Sequence, residues 1–144
     1  MPQETIAVVD DNEDSLVIFG SIFTDAGYRV VTGSDGPRAI ELVRLHAPAL
    51  LVLDIHLPRM DGVGVIQAIR SDPTIAGTPV LALTADALPE TRTLVERVGC
   101  DLFLMKPLDP KGLLQSVRGL IEGRRAGSME AALPRPDPPA PAPA

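Results

Sequence analysis

The sequence predicts an α/β fold in which one parallel sheet is covered by helices. Two observations carry this. Five short apolar segments alternate with five longer segments of helical period between residues 5 and 122, the pattern of βα units. The central short segments, AVV, LLVL and VLAL, are almost continuously apolar, as in strands buried on both faces.

The first strand is expected over Thr5–Val9. In the helical segment that follows, Leu16, Phe19, Ile22, Phe23 and Ala26 fall on one face. Gly27 is a natural stop just past its end. A second strand is expected over Tyr28–Val31 and a second helix over Pro37–Ala47, with Pro37 in its first turn. The third strand, Leu50–Leu53, leads to a helix over Gly62–Ser71 with Asp61 as N-cap. Pro79–Leu83 reads as the fourth strand and Pro89–Val98 as a helix ending at Gly99. Leu102–Met105 is the fifth strand; Asp109 caps a last helix, Pro110–Glu122, with Pro110 at its first position.

Composition removes several classes of function. The chain has 144 residues and a net charge of −6, enough for one ordinary domain and unsuited to wrapping nucleic-acid phosphates. The single cysteine, Cys100, forms no internal disulfide and fits a reducing cytoplasm. With it, His46 and His56 are too few for a structural zinc site. No secretory signal or membrane span is visible. Near residue 123 the composition changes, and from Pro134 to Ala144 six of eleven residues are Pro. Residues 1–122 are therefore expected to form the domain, and 123–144 an extended, solvated tail.

In open α/β sheets ligands bind beyond the carboxyl ends of the strands. Asp10 and Asp11 follow the first strand, Asp54 the third, Thr84 and Ala85 the fourth, and Lys106 and Pro107 the fifth. Each alone is an ordinary turn or cap residue; together they bring three carboxylates, a hydroxyl and an ammonium to one sheet edge. Clustered carboxylates raise one another's pKa and stay ionised around a divalent cation. An all-oxygen set suits Mg²⁺, which keeps room for a phosphoryl oxygen. Lys106 supplies a compact positive charge and Thr84 a hydroxyl donor, while small Ala85 leaves its backbone N–H approachable. Asp54, between the acidic pair and the Thr/Lys side, is the natural nucleophile for an aspartyl phosphate.

The segments VVDDNED (8–14), LVLDIHLPRMDG (51–62), LALTADA (81–87) and FLMKPLD (103–109) closely resemble the receiver domains of two-component response regulators, over about residues 4–122. The resemblance implies a flavodoxin-like, doubly wound five-stranded sheet of order 2-1-3-4-5 flanked by five helices. It implies that Asp54 is the phosphoacceptor and that Asp10, Asp11, Asp54 and the His56 backbone carbonyl hold Mg²⁺. Thr84, Lys106 and the Ala85 backbone would contact the phosphoryl oxygens. Phe103 would be the switch aromatic, turning inward as Thr84 is drawn to the phosphate. A cis peptide is implied between Lys106 and Pro107. His56 and Asp86 occupy the variable positions that modulate acyl-phosphate lifetime. Phe103 lacks the hydroxyl a tyrosine would present on the output side.

The expected function is that of a bacterial, monomeric, stand-alone receiver rather than a turnover enzyme. A histidine kinase or phosphotransfer protein would donate the phosphoryl group. An output protein would read helix four, strand five and helix five, with no nucleic-acid or membrane partner. The alternatives are a phosphorelay intermediate and a receiver excised from a longer hybrid kinase or regulator. A haloacid-dehalogenase-like phosphohydrolase would need an aspartate two residues after the nucleophile, where His56 stands. The acidic run from Asp10 lacks the Gly and Glu of an EF-hand, since Ser15 and Ser21 occupy those places. No dinucleotide or P-loop fingerprint is present.

Overall fold

The computed structural model describes residues 3–85, 88–106 and 109–127. Its elements run β1 (Thr5–Val9), α1 (Glu13–Asp25), β2 (Arg29–Gly33), α2 (Gly36–His46), β3 (Leu50–Asp54), α3 (Gly62–Ser71), β4 (Val80–Thr84), α4 (Pro89–Val98), β5 (Leu102–Met105) and α5 (Pro110–Gly127). The five strands pair in parallel in the order β2-β1-β3-β4-β5. This is the expected fold class and strand order.

The pleat sorts the core. Alternate residues of a strand point to opposite faces. Ala7, Val9, Leu51, Leu53, Ala82 and Phe103 pack with α2, α3 and α4, through Ile40, Val43, Val65, Ile69 and Val95. Ile6, Val8, Leu50, Val52, Leu81 and Leu83 face α1 and α5, through Phe19, Phe23, Leu113, Val117 and Ile121. Central β3 is buried along its whole length, whereas edge strand β2 is partly exposed. The scarcity of aromatics is met by aliphatic packing plus one stacked pair, Phe19 and Phe23, whose centroids are 6.4 Å apart.

Turn chemistry matches the sequence at most ends. Gly27 adopts φ 98° just beyond α1, and Gly99 adopts φ 108° at the end of α4. Asp61 Oδ1 accepts the Gly64 N–H at 3.0 Å, and Asp109 Oδ2 accepts the Gly112 N–H at 3.2 Å. Several details differ, among them α2, which runs Gly36–His46 with Ala47 as its left-handed cap where Pro37–Ala47 was expected. Asn12, rather than the acidic pair, caps α1 by accepting the Ser15 N–H at 3.2 Å, which leaves Asp10 and Asp11 free of that task. β2 is displaced one to two residues toward its C-terminus, because Tyr28 N–H closes the α1 turn on the Phe23 carbonyl. β3 extends one residue further and β4 is shifted by one, from the expected Pro79–Leu83 to Val80–Thr84, so Asp54 and Thr84 are themselves ladder residues. Helix α5 continues to Gly127, five residues beyond the expected end; the next proline is Pro134, and Arg124, Arg125 and Ala126 are good helix formers.

Arg70, at the end of α3, ties two loops together. It donates to the carbonyls of Ala76 and Thr78 in one and to Gly99 in the other, and pairs with Asp101 at 2.9 Å.

Phe23 is fully buried, whereas Val17 on the same helix is 69% exposed. Phe23→Ala should destabilise the fold by about 3–5 kcal/mol through lost transfer energy and a cavity. Val17→Ala should change it by less than about 0.5 kcal/mol. Urea unfolding at unchanged m-value checks both.

Candidate functional site

Strand register brings the polar residues together. Val9 lies opposite Leu53 and Asp54 opposite Leu83, so the chains leaving β1, β3 and β4 end at one level. Lys106 follows β5, and its N–H donates to the Thr84 carbonyl at 2.8 Å. The ladder thus continues one step past Met105 before the chain leaves the sheet.

Two buried carboxylates share one ammonium here. Asp10 is 1% exposed; its Oδ1 accepts the Asn12 N–H at 2.9 Å and its Oδ2 accepts Lys106 Nζ at 2.6 Å. Asp54 repeats the arrangement, with Oδ1 accepting the His56 N–H at 2.9 Å and Oδ2 accepting Lys106 Nζ at 3.2 Å. In each aspartate a backbone N–H two residues on fixes one oxygen, and Lys106 holds the other. Asp11 is exposed beside them, and ligand oxygens of Asp10, Asp11 and Asp54 lie within 4.8 Å of one another.

Burial raises the Asp54 pKa above the ordinary carboxylate value; the neighbouring Asp10 charge adds to this, while the His56 N–H and Lys106 oppose it. For Lys106 burial acts downward, but the hydrogen bond to Asp10 and the charges of Asp54 and Asp10 outweigh it, leaving its pKa raised. One ammonium against three carboxylates leaves the site with excess negative charge when all are ionised. This donor set, all hard oxygen with no thiolate or imidazole, fits Mg²⁺.

Asp54 leads into a tightly built loop. Gly62 N–H donates to the Ile55 carbonyl at 2.7 Å, and a Cβ on Gly62 would lie 2.7 Å from the Ile55 Cα. A Cβ on Gly36 would collide with the Met60 carbonyl oxygen, so the first turn of α2 supports the same loop. Arg59 in this loop adopts φ 70°, with its Nε 3.8 Å from an Asp35 carboxylate oxygen. His56 is exposed at the loop's start.

Thr84 is fully buried at the end of β4, and Ala85 beyond it is exposed. Phe103 pairs in register with Ala82, and strand parity places it on the same sheet face as Thr84. Phe103 is buried, 8% exposed, and the Arg92 guanidinium lies over its ring with Cζ 5.5 Å from the ring centroid. Sequence reasoning did not find Arg92: a helix residue eleven positions before the ring carries no local signal of that contact. Asp86 and Pro107, and with Pro107 the expected cis peptide after Lys106, lie outside the described residues.

Comparison with known proteins agrees with this arrangement. The family described as response regulator receiver domain matches residues 6–118. The polar-differentiation response regulator DivK of Brucella anthropi is 27% identical over 121 residues, covering 84% of this chain and 98% of its own length. A chemotaxis response regulator from Vibrio cholerae superposes with a TM-score of 0.77 at 28% identity, covering 83% of this chain and 99% of that one. The receiver domain of a Pseudomonas aeruginosa sensor histidine kinase, described with a magnesium ion coordinated in its active-site cleft, superposes with a TM-score of 0.78 at 26% identity, covering 84% of this chain and 99% of that one.

The raised Asp54 pKa has a sign that stability can report. A group whose folded pKa lies above its unfolded value stabilises the fold fully only below the unfolded pKa, and loses that contribution as pH rises through the folded pKa. Ionised Asp54 therefore costs stability at neutral pH. In metal-free buffer Asp54→Asn should melt at a higher temperature than wild type at pH 7, with the difference shrinking as pH falls toward about 4. Paired thermal melts across that range check it.

Proposed function

The chain belongs to the response regulator receiver domain family, and from that membership and the site geometry we propose that Asp54 accepts a phosphoryl group from phosphohistidine on a histidine kinase or phosphotransfer protein. The observation that carries this is the tethering of Asp54: His56 N–H holds one carboxylate oxygen at 2.9 Å and Lys106 Nζ the other at 3.2 Å. A carboxylate fixed at both oxygens is oriented before the donor arrives, which lowers the entropic part of the barrier.

In the transfer an Asp54 carboxylate oxygen attacks phosphorus in line with the histidine nitrogen. The P–O bond forms as the P–N bond breaks, and the electron pair remains on the imidazole nitrogen. Lys106 faces the negative charge that spreads over the transferring oxygens. Thr84 donates its hydroxyl hydrogen bond, and Ala85 its backbone N–H, to the phosphoryl oxygens of the product. A Mg²⁺ held by Asp10, Asp11, Asp54 and the His56 carbonyl would neutralise the acidic cluster and bind a phosphoryl oxygen. Thr84 and Phe103, on one face of neighbouring strands, then carry the change to α4, β5 and α5. An output protein reads this surface as a shift between two conformations.

On this reading residues 1–122 act as a stand-alone, monomeric, cytoplasmic signalling domain, and 123–144 as its tail, rather than as an enzyme with a turnover substrate. No helix among the described residues is long and apolar enough to cross a membrane. A second reading, a relay receiver passing its phosphoryl group to another histidine, is supported by the likeness to a receiver domain of a sensor histidine kinase.

Incubation with acetyl phosphate and Mg²⁺ should add one phosphoryl mass to the wild type and none to Asp54→Asn, by intact-protein mass spectrometry. Labelling of the mutant, or of neither protein, would refute the assignment. Subsequent loss of label to an added phosphotransfer protein would favour the relay form.

Mg²⁺ at about 100 times its Kd should stabilise the wild type by about 2.7 kcal/mol. Asp11→Ala, at an exposed position, should fold normally and gain less. Thermal melts with and without Mg²⁺ measure the difference.

A further inference from the structure

Phe103 differs from a tyrosine in having no polar atom. Nothing on the ring can hydrogen-bond at the surface or in the core, so its orientation is set by what packs on its faces. One of those groups is a cation. Arg92 of α4 places its guanidinium carbon 5.5 Å from the ring centroid, within the range in which a guanidinium is attracted to a π face.

Helix α4 buries little of itself against the rest of the molecule. Its N-cap position is Leu88, which makes no side-chain cap, and Val95 is its one buried residue. Leu94 is 46% exposed. Glu96, one turn on, holds Arg92 Nε at 3.3 Å, and both side chains are substantially exposed. Such a pair contributes little stability, but it restricts the rotamers of Arg92 and favours those that keep the guanidinium over the ring.

We propose that Arg92 is a positioning residue for the switch: from α4 it holds Phe103 in the inward orientation, so that ring orientation and the seating of α4 on β5 form one two-state element. This rests on the reading of Asp54, Thr84 and Phe103 as a phosphorylation switch. Outward rotation of the ring requires the guanidinium to leave its face, and lifting of α4 uncovers the ring. A change at Thr84 that favours the inward ring therefore also draws α4 down. The cation supplies from the helix the directional hold that a ring hydroxyl would otherwise supply.

The chain contains only three phenylalanines, Phe19, Phe23 and Phe103, so ring-labelled protein gives three resolvable sets of NMR signals. Arg92→Met keeps the apolar stem and removes the charge. It should lower the inward-to-outward ratio of Phe103 about two- to fivefold. The readout is paramagnetic relaxation of the Phe103 ring protons by a soluble gadolinium chelate, with Phe19 and Phe23 unchanged. Arg92→Lys should restore part of the inward population. Wild-type relaxation at Phe103 in Arg92→Met would overturn the proposal, as would an equal rise at all three rings, which reports general loosening. Beryllofluoride with Mg²⁺ separates the two levels of the argument. A wild-type Phe103 that does not respond to it would count against the switch reading, while the hold by Arg92 is judged from ring exposure without the mimic.

Discussion

The Lys106 ammonium, held between the buried carboxylates of Asp10 and Asp54 at 2.6 and 3.2 Å, is the contact on which this site depends. It sets an opposite charge beside two carboxylates that have almost no solvent exposure, offsetting part of the cost of burying them. Lys106 reaches them because its backbone extends the β4–β5 ladder by one hydrogen bond to Thr84. Even so, its charge does not balance the cluster once Asp11 is counted. The remaining demand for positive charge makes the edge receptive to a hard divalent cation. Burial chiefly raises the Asp54 pKa, with the Asp10 charge adding to it, while the hydrogen bond to Asp10 and the two carboxylate charges raise that of Lys106.

The sheet places that local chemistry beside the helices packed on one of its faces. Alternation along the strands divides the core, and the face shared with α2, α3 and α4 holds Phe103 and, by parity, Thr84. The Thr84 side chain therefore lies on the sheet face against which α4 packs. On the other side of Asp54 the chain has little freedom. Gly36 and Gly62 are in such close approach to Met60 and Ile55 that a side chain at either would displace backbone. One flank of Asp54 is braced, and the other leads to a helix with one buried residue.

The α4 side of the molecule is held by contacts that span the chain. Arg70 grips the Gly99 carbonyl and Asp101 at the end of α4, and Arg92 covers Phe103 nearer its start. Both are arginines whose planar, multi-donor head groups suit such roles better than lysine would. They also differ in environment: the Arg70 side chain is 23% exposed within a hydrogen-bonded network, whereas that of Arg92 is 61% exposed over an aromatic face. The former fixes the loop ends; the latter can exchange its contact for water at small cost.

By itself the sequence determined the alternation of strands and helices, because hydrophobic period and Gly, Pro and Asp punctuation are local properties. It also determined the chemistry at the sheet edge, because Asp10, Asp11, Asp54, Thr84 and Lys106 each stand at the end of an apolar run and parallel strands bring such ends together. The spatial order of strands was legible through resemblance to receivers and not through periodicity, which does not encode adjacency. Tertiary structure alone decided what depends on distance and on competition between partners. Asn12 caps α1 because the Asp10 side chain is drawn to Lys106 and the Asn12 N–H. α5 runs past Glu122 because nothing in its next turn forbids a helix. Arg92 meets Phe103 only because α4 packs across β5, bringing together residues that no pattern within either segment relates.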